Sequence, residues 1–171
     1  MPPIPLDRLK DLVADVGRKL DSMHIDYAIM GGAAVCLITQ DTTRVTEDLD
    51  LVIQVDELFD HLSWPERPQY NLPSTSRNTI NVNGHQVKTF SASWIFREKV
   101  LAHHQRFHTS KRPYDFADIL RMIDLLEPGQ PELNFEGNPQ LEEALLTLLR
   151  VRPHLRGELK GLVKCTAVFG N

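Results

Sequence analysis

The segment that most constrains this chain is a short apolar run that breaks on two glycines and continues in small apolar residues. Residues 26–30, "DYAIM", read as a buried strand. Gly31-Gly32 ends it, and "AAVCLIT", about 32–39, reads as a helix small enough to lie tightly on a sheet. "QDTTRVTE" is a polar loop, and "DLDLVIQV", 48–55, returns as a strand. That second strand opens with Asp48 and Asp50 in alternation. Residues i and i+2 of a strand share a face, so the two carboxylates are expected to project together. Like charges that close raise each other's pKa, and a divalent cation relieves the repulsion. Mg²⁺ takes one or two carboxylates and fills its octahedron with waters and phosphate oxygens. A glycine turn at a helix N-terminus brings bare N–H groups up to phosphates. The expected ligand is a metal-bound nucleoside triphosphate.

The flanking segments give a mixed architecture. Residues 5–23 place Leu6, Leu9, Leu12, Val13, Val16 and Leu20 at helical spacing, with Pro5 in the first turn. "DELFDHLS", from Asp56, reads as a short helix capped by that aspartate, and 64–78 as a proline-rich loop. Residues 79–90 form a hairpin around Asn83-Gly84. Helices are expected at 93–107 with Ser93 as N-cap, from near Pro113 to Leu126, and from Pro139 with Asn138 as cap. The tail after Pro153 fits no single element. Strands interspersed with helices predict an α+β fold, a mixed sheet flanked by helices with a helical C-terminal part. The expected organisation is a core over 1–126 and a helical extension over 127–171 packed on it.

Bulk properties narrow the partners. The 171 residues are 42% hydrophobic and 25% charged, ordinary globular usage, with a net charge of −4. That balance argues against general DNA binding. No apolar run is long enough for a membrane span. The first residues lack a basic region followed by an apolar block, so no signal peptide is expected. Cys36 and Cys165 stand far apart without metal-like spacing and read as free thiols of a reducing, cytoplasmic compartment. His103, His104 and His108 cluster without the glutamate of a zinc protease and read as surface or phosphate-facing. "RFHTSKR", 106–112, is a basic run suited either to solvent or to phosphate, and Trp64 and Trp94 read as packing residues.

"IMGGAAVCLITQDTTRVTEDLDLVI" resembles the signature of the nucleotidyltransferase-fold superfamily, a Gly-Gly followed after a spacer by Asp-hydrophobic-Asp. "RVTEDLD" and the later "WIFREKVLAHHQRFHTSKRPYDFADIL" are similar to motifs of its AbiEii-like group, abortive-infection toxins and their relatives. The likeness spans roughly residues 27–120. It implies transfer of a nucleoside monophosphate from an NTP to an acceptor hydroxyl on a small molecule, protein or RNA. Asp48 and Asp50 would hold Mg²⁺ or Mn²⁺, and Gly31 and Gly32 the triphosphate. Arg44 and Arg112 would contact nucleotide phosphates, Lys99 would neutralise phosphate charge, and Asp115 would orient Lys99 or activate the acceptor. Many members carry a third carboxylate on a later strand. The matching strand, "HQVKTF", has Thr89 at about that position and no acid. A protein of the same fold that binds without turnover is the alternative implied.

Overall fold

The computed structural model describes residues 3–54 and 72–170. The expected helix from Asp56, most of the loop before residue 72 and Trp64 lie outside them. The chain divides into two compact units, Met1–Ser91 and Ala92–Asn171. The expected boundary at 126/127 falls within the second unit.

The first unit holds α1 (Leu6–Ser22), β1 (Tyr27–Ile29), α2 (Gly31–Thr39), β2 (Leu51–Ile53), β3 (Arg77–Val82) and β4 (His85–Phe90). The four strands form one mixed sheet in the order β2-β1-β4-β3. β1 pairs antiparallel with β2 and parallel with β4, and β3 and β4 form the hairpin. Asn83 and Gly84 both adopt positive φ, 49° and 79°. Two left-handed residues in a two-residue turn match the twist of the flanking strands. The hairpin is therefore as expected, and its strands run two residues further back, to Arg77.

α1 lies on one face of the sheet. Leu6, Leu9, Val13, Ala14 and Gly17 are buried, at about 1.5–3 kcal/mol for each large aliphatic side chain removed from water. Leu12, expected on the buried stripe, is 39% exposed. Close approach explains the shift. A Cβ on Gly17 would stand 2.7 Å from Tyr27 Oη and 3.2 Å from the His85 ring, so the helix meets the sheet through its small residues. Pro5 is the N-cap residue rather than a residue of the first turn. The face under α1 carries Tyr27 and Ile29, and the pairing of Ile29 with Thr89 puts Thr89 and Val87 there too. At the start of β1, Asp26 binds Arg77 Nη1 at 2.7 Å and Lys88 Nζ at 3.0 Å, tying three strands together.

The second unit is helical: α3 (Ala92–Gln105), α4 (Arg112–Ile123), α5 (Pro139–Val151), α6 (Arg156–Leu162) and α7 (Thr166–Phe169). Its core joins Trp94, Phe96 and Val100 of α3, Ile119 and Met122 of α4, and Leu141, Leu145 and Leu148 of α5. Asn138 caps α5, its Oδ1 accepting from Leu141 N at 3.2 Å, with Pro139 in the first turn. Ser93 is not a cap: α3 starts at Ala92 and Ser93 is buried in its first turn. The tail is pinned by an isolated bridge. Phe135 N donates to Lys164 O, and Lys164 N to Leu133 O, both at 2.9 Å.

Candidate active site

The sequence places Gly31, Gly32, Arg44, Asp48 and Asp50 in the first unit, and the backbone gathers them at the end of β1. Gly31 opens α2 at φ +65°, a left-handed conformation that costs a side-chain residue about 1–2 kcal/mol. Met30, before it, caps α2 with no side-chain bond, so the N–H groups of the first turn lack a side-chain acceptor from the cap. A Cβ on Gly31 would stand 2.5 Å from Asp50 Oδ2. One on Gly32 would stand 2.8 Å from Arg44 Nη2 and 2.9 Å from Thr46 Oγ1. The glycine turn thus lies directly against the Asp50 carboxylate on one side and the Arg44 guanidinium on the other.

The carboxylates do not sit on a strand as expected. Within the expected 48–55, β2 spans Leu51–Ile53, residue 55 lying outside the described residues. Asp48 lies in a bend, and Asp50 is the residue before β2, its carbonyl accepting from Met30 N at 3.0 Å. The rule that i and i+2 share a face applies within a strand, and neither aspartate lies in one. A hydroxyl accounts for the bend. Buried Thr46 donates from Oγ1 to Asp48 O at 3.1 Å and faces Asp48 Oδ1 at 3.4 Å. Thr46 is itself anchored through its carbonyl to Ile4 N at 2.6 Å. The preceding loop is braced by Asp41, whose Oδ1 accepts from Thr43 N and Oγ1, and by Arg44 O, which accepts from Cys36 Sγ at 3.3 Å. Both aspartates are exposed.

Two exposed carboxylates beside a glycine turn are a hard-oxygen donor set of the kind Mg²⁺ uses with substrate phosphates. Among the described residues no group of three or more His, Cys, Asp or Glu forms a self-sufficient metal cage. Strand alternation locates the later-strand position. Thr89 shares its face with Ile29 under α1, whereas Lys88 and Phe90 alternate to the face of Val52. No acid occupies β4 on either face.

Lys99, Asp115 and Arg112 belong to the second unit. Lys99 Nζ is 3.1 Å from Asp115 Oδ1 and 2.7 Å from Asp118 Oδ2, with the two carboxylates 2% and 0% exposed. Arg106 Nη1 reaches both oxygens of Asp115, at 3.2 and 3.0 Å. The cluster balances two cations against two anions, which is what keeps so many charges tolerable out of water. Arg112 stacks on Phe107, guanidinium carbon 4.0 Å from the ring centroid. Its Nε and Nη2 are buried and meet no acceptor among the described residues. His103, 3% exposed, packs against Phe116 and has its basicity pushed down to about 4 by burial and by Arg112, against the pull of Asp115. Thr46 was not expected at a site; Arg106, read in a run suited to solvent or phosphate, pairs with Asp115, and burial corrects the reading of His103 as surface or phosphate-facing. For the latter two the signal was present: Lys99, His103 and Arg106 fall at i, i+4 and i+7, one helix face.

No protein-family model and no curated protein matches the chain. Among solved structures, the crystal structure of an antigenic nucleotidyltransferase-like protein from Paracoccidioides brasiliensis superposes with a TM-score of 0.91 at 40% sequence identity. The match covers 99% of this chain and 100% of that one. Likeness at that identity over nearly the full length of both chains shows that the chain belongs to the same nucleotidyltransferase-like family.

Proposed function

We propose that the chain is an AbiEii-like nucleotidyltransferase that moves a nucleoside monophosphate from an NTP to a hydroxyl acceptor in the presence of Mg²⁺ or Mn²⁺. The observation that carries this is the contact between the glycine turn and the carboxylate segment, Gly31 against Asp50 and Gly32 against Arg44 and Thr46. The first-turn N–H groups of α2 and the Arg44 guanidinium suit phosphate oxygens. Asp48 and Asp50 would hold the cation, which when bound supplies charge neutralisation at the α-phosphate. Thr46 holds Asp48 in position through its hydroxyl. Lys99, Asp115 and Arg112 enter the proposal through the sequence resemblance, with the Lys99–Asp115 bond as their structural support.

A second reading, nucleotide binding without turnover, is favoured by one observation. β4 offers no Asp or Glu as a third carboxylate and proton acceptor. NTP consumption by the purified protein, measured against Asp48→Asn with Asp50→Asn, separates the readings. Mg²⁺-dependent consumption that the double variant abolishes supports transfer. Nucleotide binding with no consumption in either protein supports the second reading. Consumption that the variant leaves unchanged removes the aspartates from the chemistry.

A further inference from the structure

A cleft of about 360 Å³ opens within the second unit, lined by His104, Phe107, Thr147, Arg150 and Val151. That size is in the range, about 300–1,000 Å³, of clefts that take small molecules. Its largest apolar surface is Phe107, 50% exposed. The Arg112 guanidinium lies over one face of the ring, 4.0 Å from its centroid, and the His108 ring stands at 82° to it with centroids 5.0 Å apart. An exposed aromatic side chain braced in this way forms a fixed platform.

The cleft is lined by a cation, Arg150, and by no carboxylate among the described residues. Arg150 forms no ion pair or hydrogen bond among the described residues, although Glu142 and Glu143 lie on its own helix. His104 meets Thr147 Oγ1 through Nδ1 at 3.1 Å, and its Nε2 has no partner among the described residues. Arg112 adds two buried N–H groups without acceptors behind the platform. Basic residues in the last turns of α3 and α5 complement the helix ends, which explains their sign. It does not explain why they surround an apolar cleft with a braced ring.

We propose that this cleft of the second unit is a ligand site, which takes a small anion carried on a flat ring. The ring stacks on Phe107, and the anionic oxygens meet Arg150 and the His104 Nε2–H. In the proposed complex the Thr147 hydroxyl donates to Nδ1, which leaves Nε2–H to the ligand. The site does not depend on whether the glycine turn supports turnover.

Calorimetric titration with adenosine 5′-monophosphate in EDTA tests this, with metal-dependent binding suppressed. Adenosine supplies the ring alone and ribose 5-phosphate the anion alone. Each is expected to bind about tenfold more weakly than the monophosphate, the usual scale for losing a charge-assisted bond or a stack. Arg150→Gln should weaken the monophosphate about tenfold and leave adenosine unchanged, whereas Phe107→Leu should weaken both. Both side chains are exposed, so folding is not at stake. Asp48→Asn with Asp50→Asn should bind the monophosphate as the parent does. The proposal is overturned by no binding up to about 1 mM, a weak-affinity limit. It is equally overturned by binding that survives both cleft variants, or that the aspartate variant removes.

Discussion

Gly31 is the residue on which the site turns, because two independent constraints meet there. Its φ of +65° disfavours any side chain, and the space a Cβ needs is occupied by Asp50 Oδ2 at 2.5 Å. Gly84 shares the first constraint only: its φ is +79° and nothing lies within 4 Å. The pair therefore separates conformational strain from displacement of the carboxylate. Gly31→Ala and Gly84→Ala should each lose about 1–2 kcal/mol in urea unfolding, the cost of a left-handed alanine. Only Gly31→Ala should also lower NTP consumption, by about 100-fold, the scale for misplacing a reacting group by about an ångström. Equal activities in the two variants would mean that the Gly31–Asp50 contact has no part in the reaction. The proximity of the glycine pair to Asp50 was legible from the order of the motifs, a glycine pair after an apolar strand and then Asp-x-Asp, since each motif alone is common. Thr46 was not, because a threonine in a polar loop carries no signal of the hydrogen bond it makes.

Elements were legible where local chemistry decides them and misread where tertiary pairing does. The hairpin follows from Asn83-Gly84 and the start of α5 from Asn138-Pro139, both local signals. β2 was overextended because alternation in "DLDLVIQV" continues past the residues that find a partner. β1 contributes only Tyr27–Ile29 to the ladder before Gly31 turns away, so β2 has three partners. The bridge through Lys164 is invisible in sequence, since it joins two irregular segments. The α5 cap yields a measurable outcome. Asn138→Ala removes the bond to Leu141 N and should lower stability by about 1 kcal/mol in urea unfolding, with Asn138→Gly costing only a few tenths. Equal losses for alanine and glycine would show that the backbone conformation at 138, and not the side-chain oxygen, sets the helix start.

Across the whole molecule, the two units carry ionisable groups that respond to acid in different windows. In the first unit, burial pushes Asp26 up, but hydrogen bonds from Lys88 and Arg77 outweigh it and hold the carboxyl below its ordinary 3.8. Its stabilisation is present above that value and is lost as the pH falls further, through its folded pKa. In the second unit, His103 behaves as a base with a depressed pKa. The unfolded imidazole takes its proton near 6.5 and the folded one at about 4. Between those values the unfolded chain holds more protons, so stability rises with pH. Acidification from pH 6.5 to 4 should therefore remove roughly 3 kcal/mol through His103, at about 1.4 kcal/mol per unit, against an opposing gain from Glu98, whose carboxyl burial holds above its ordinary value. The groups that set the His103 value are Arg112, Asp115, Arg152 and His104 around the ring, with burial the largest cause. Amide hydrogen exchange at pH 5 and pH 7, corrected for intrinsic rates, should show protection falling in α3, α4 and α5 while β1 and β4 change little. His103→Gln removes the titrating group and should flatten that dependence between pH 6.5 and 4, even if its stability at pH 7 is lower. A variant whose second unit still weakens with the parent's slope would transfer the effect to another group and show that His103 is not the acid-labile point of the fold.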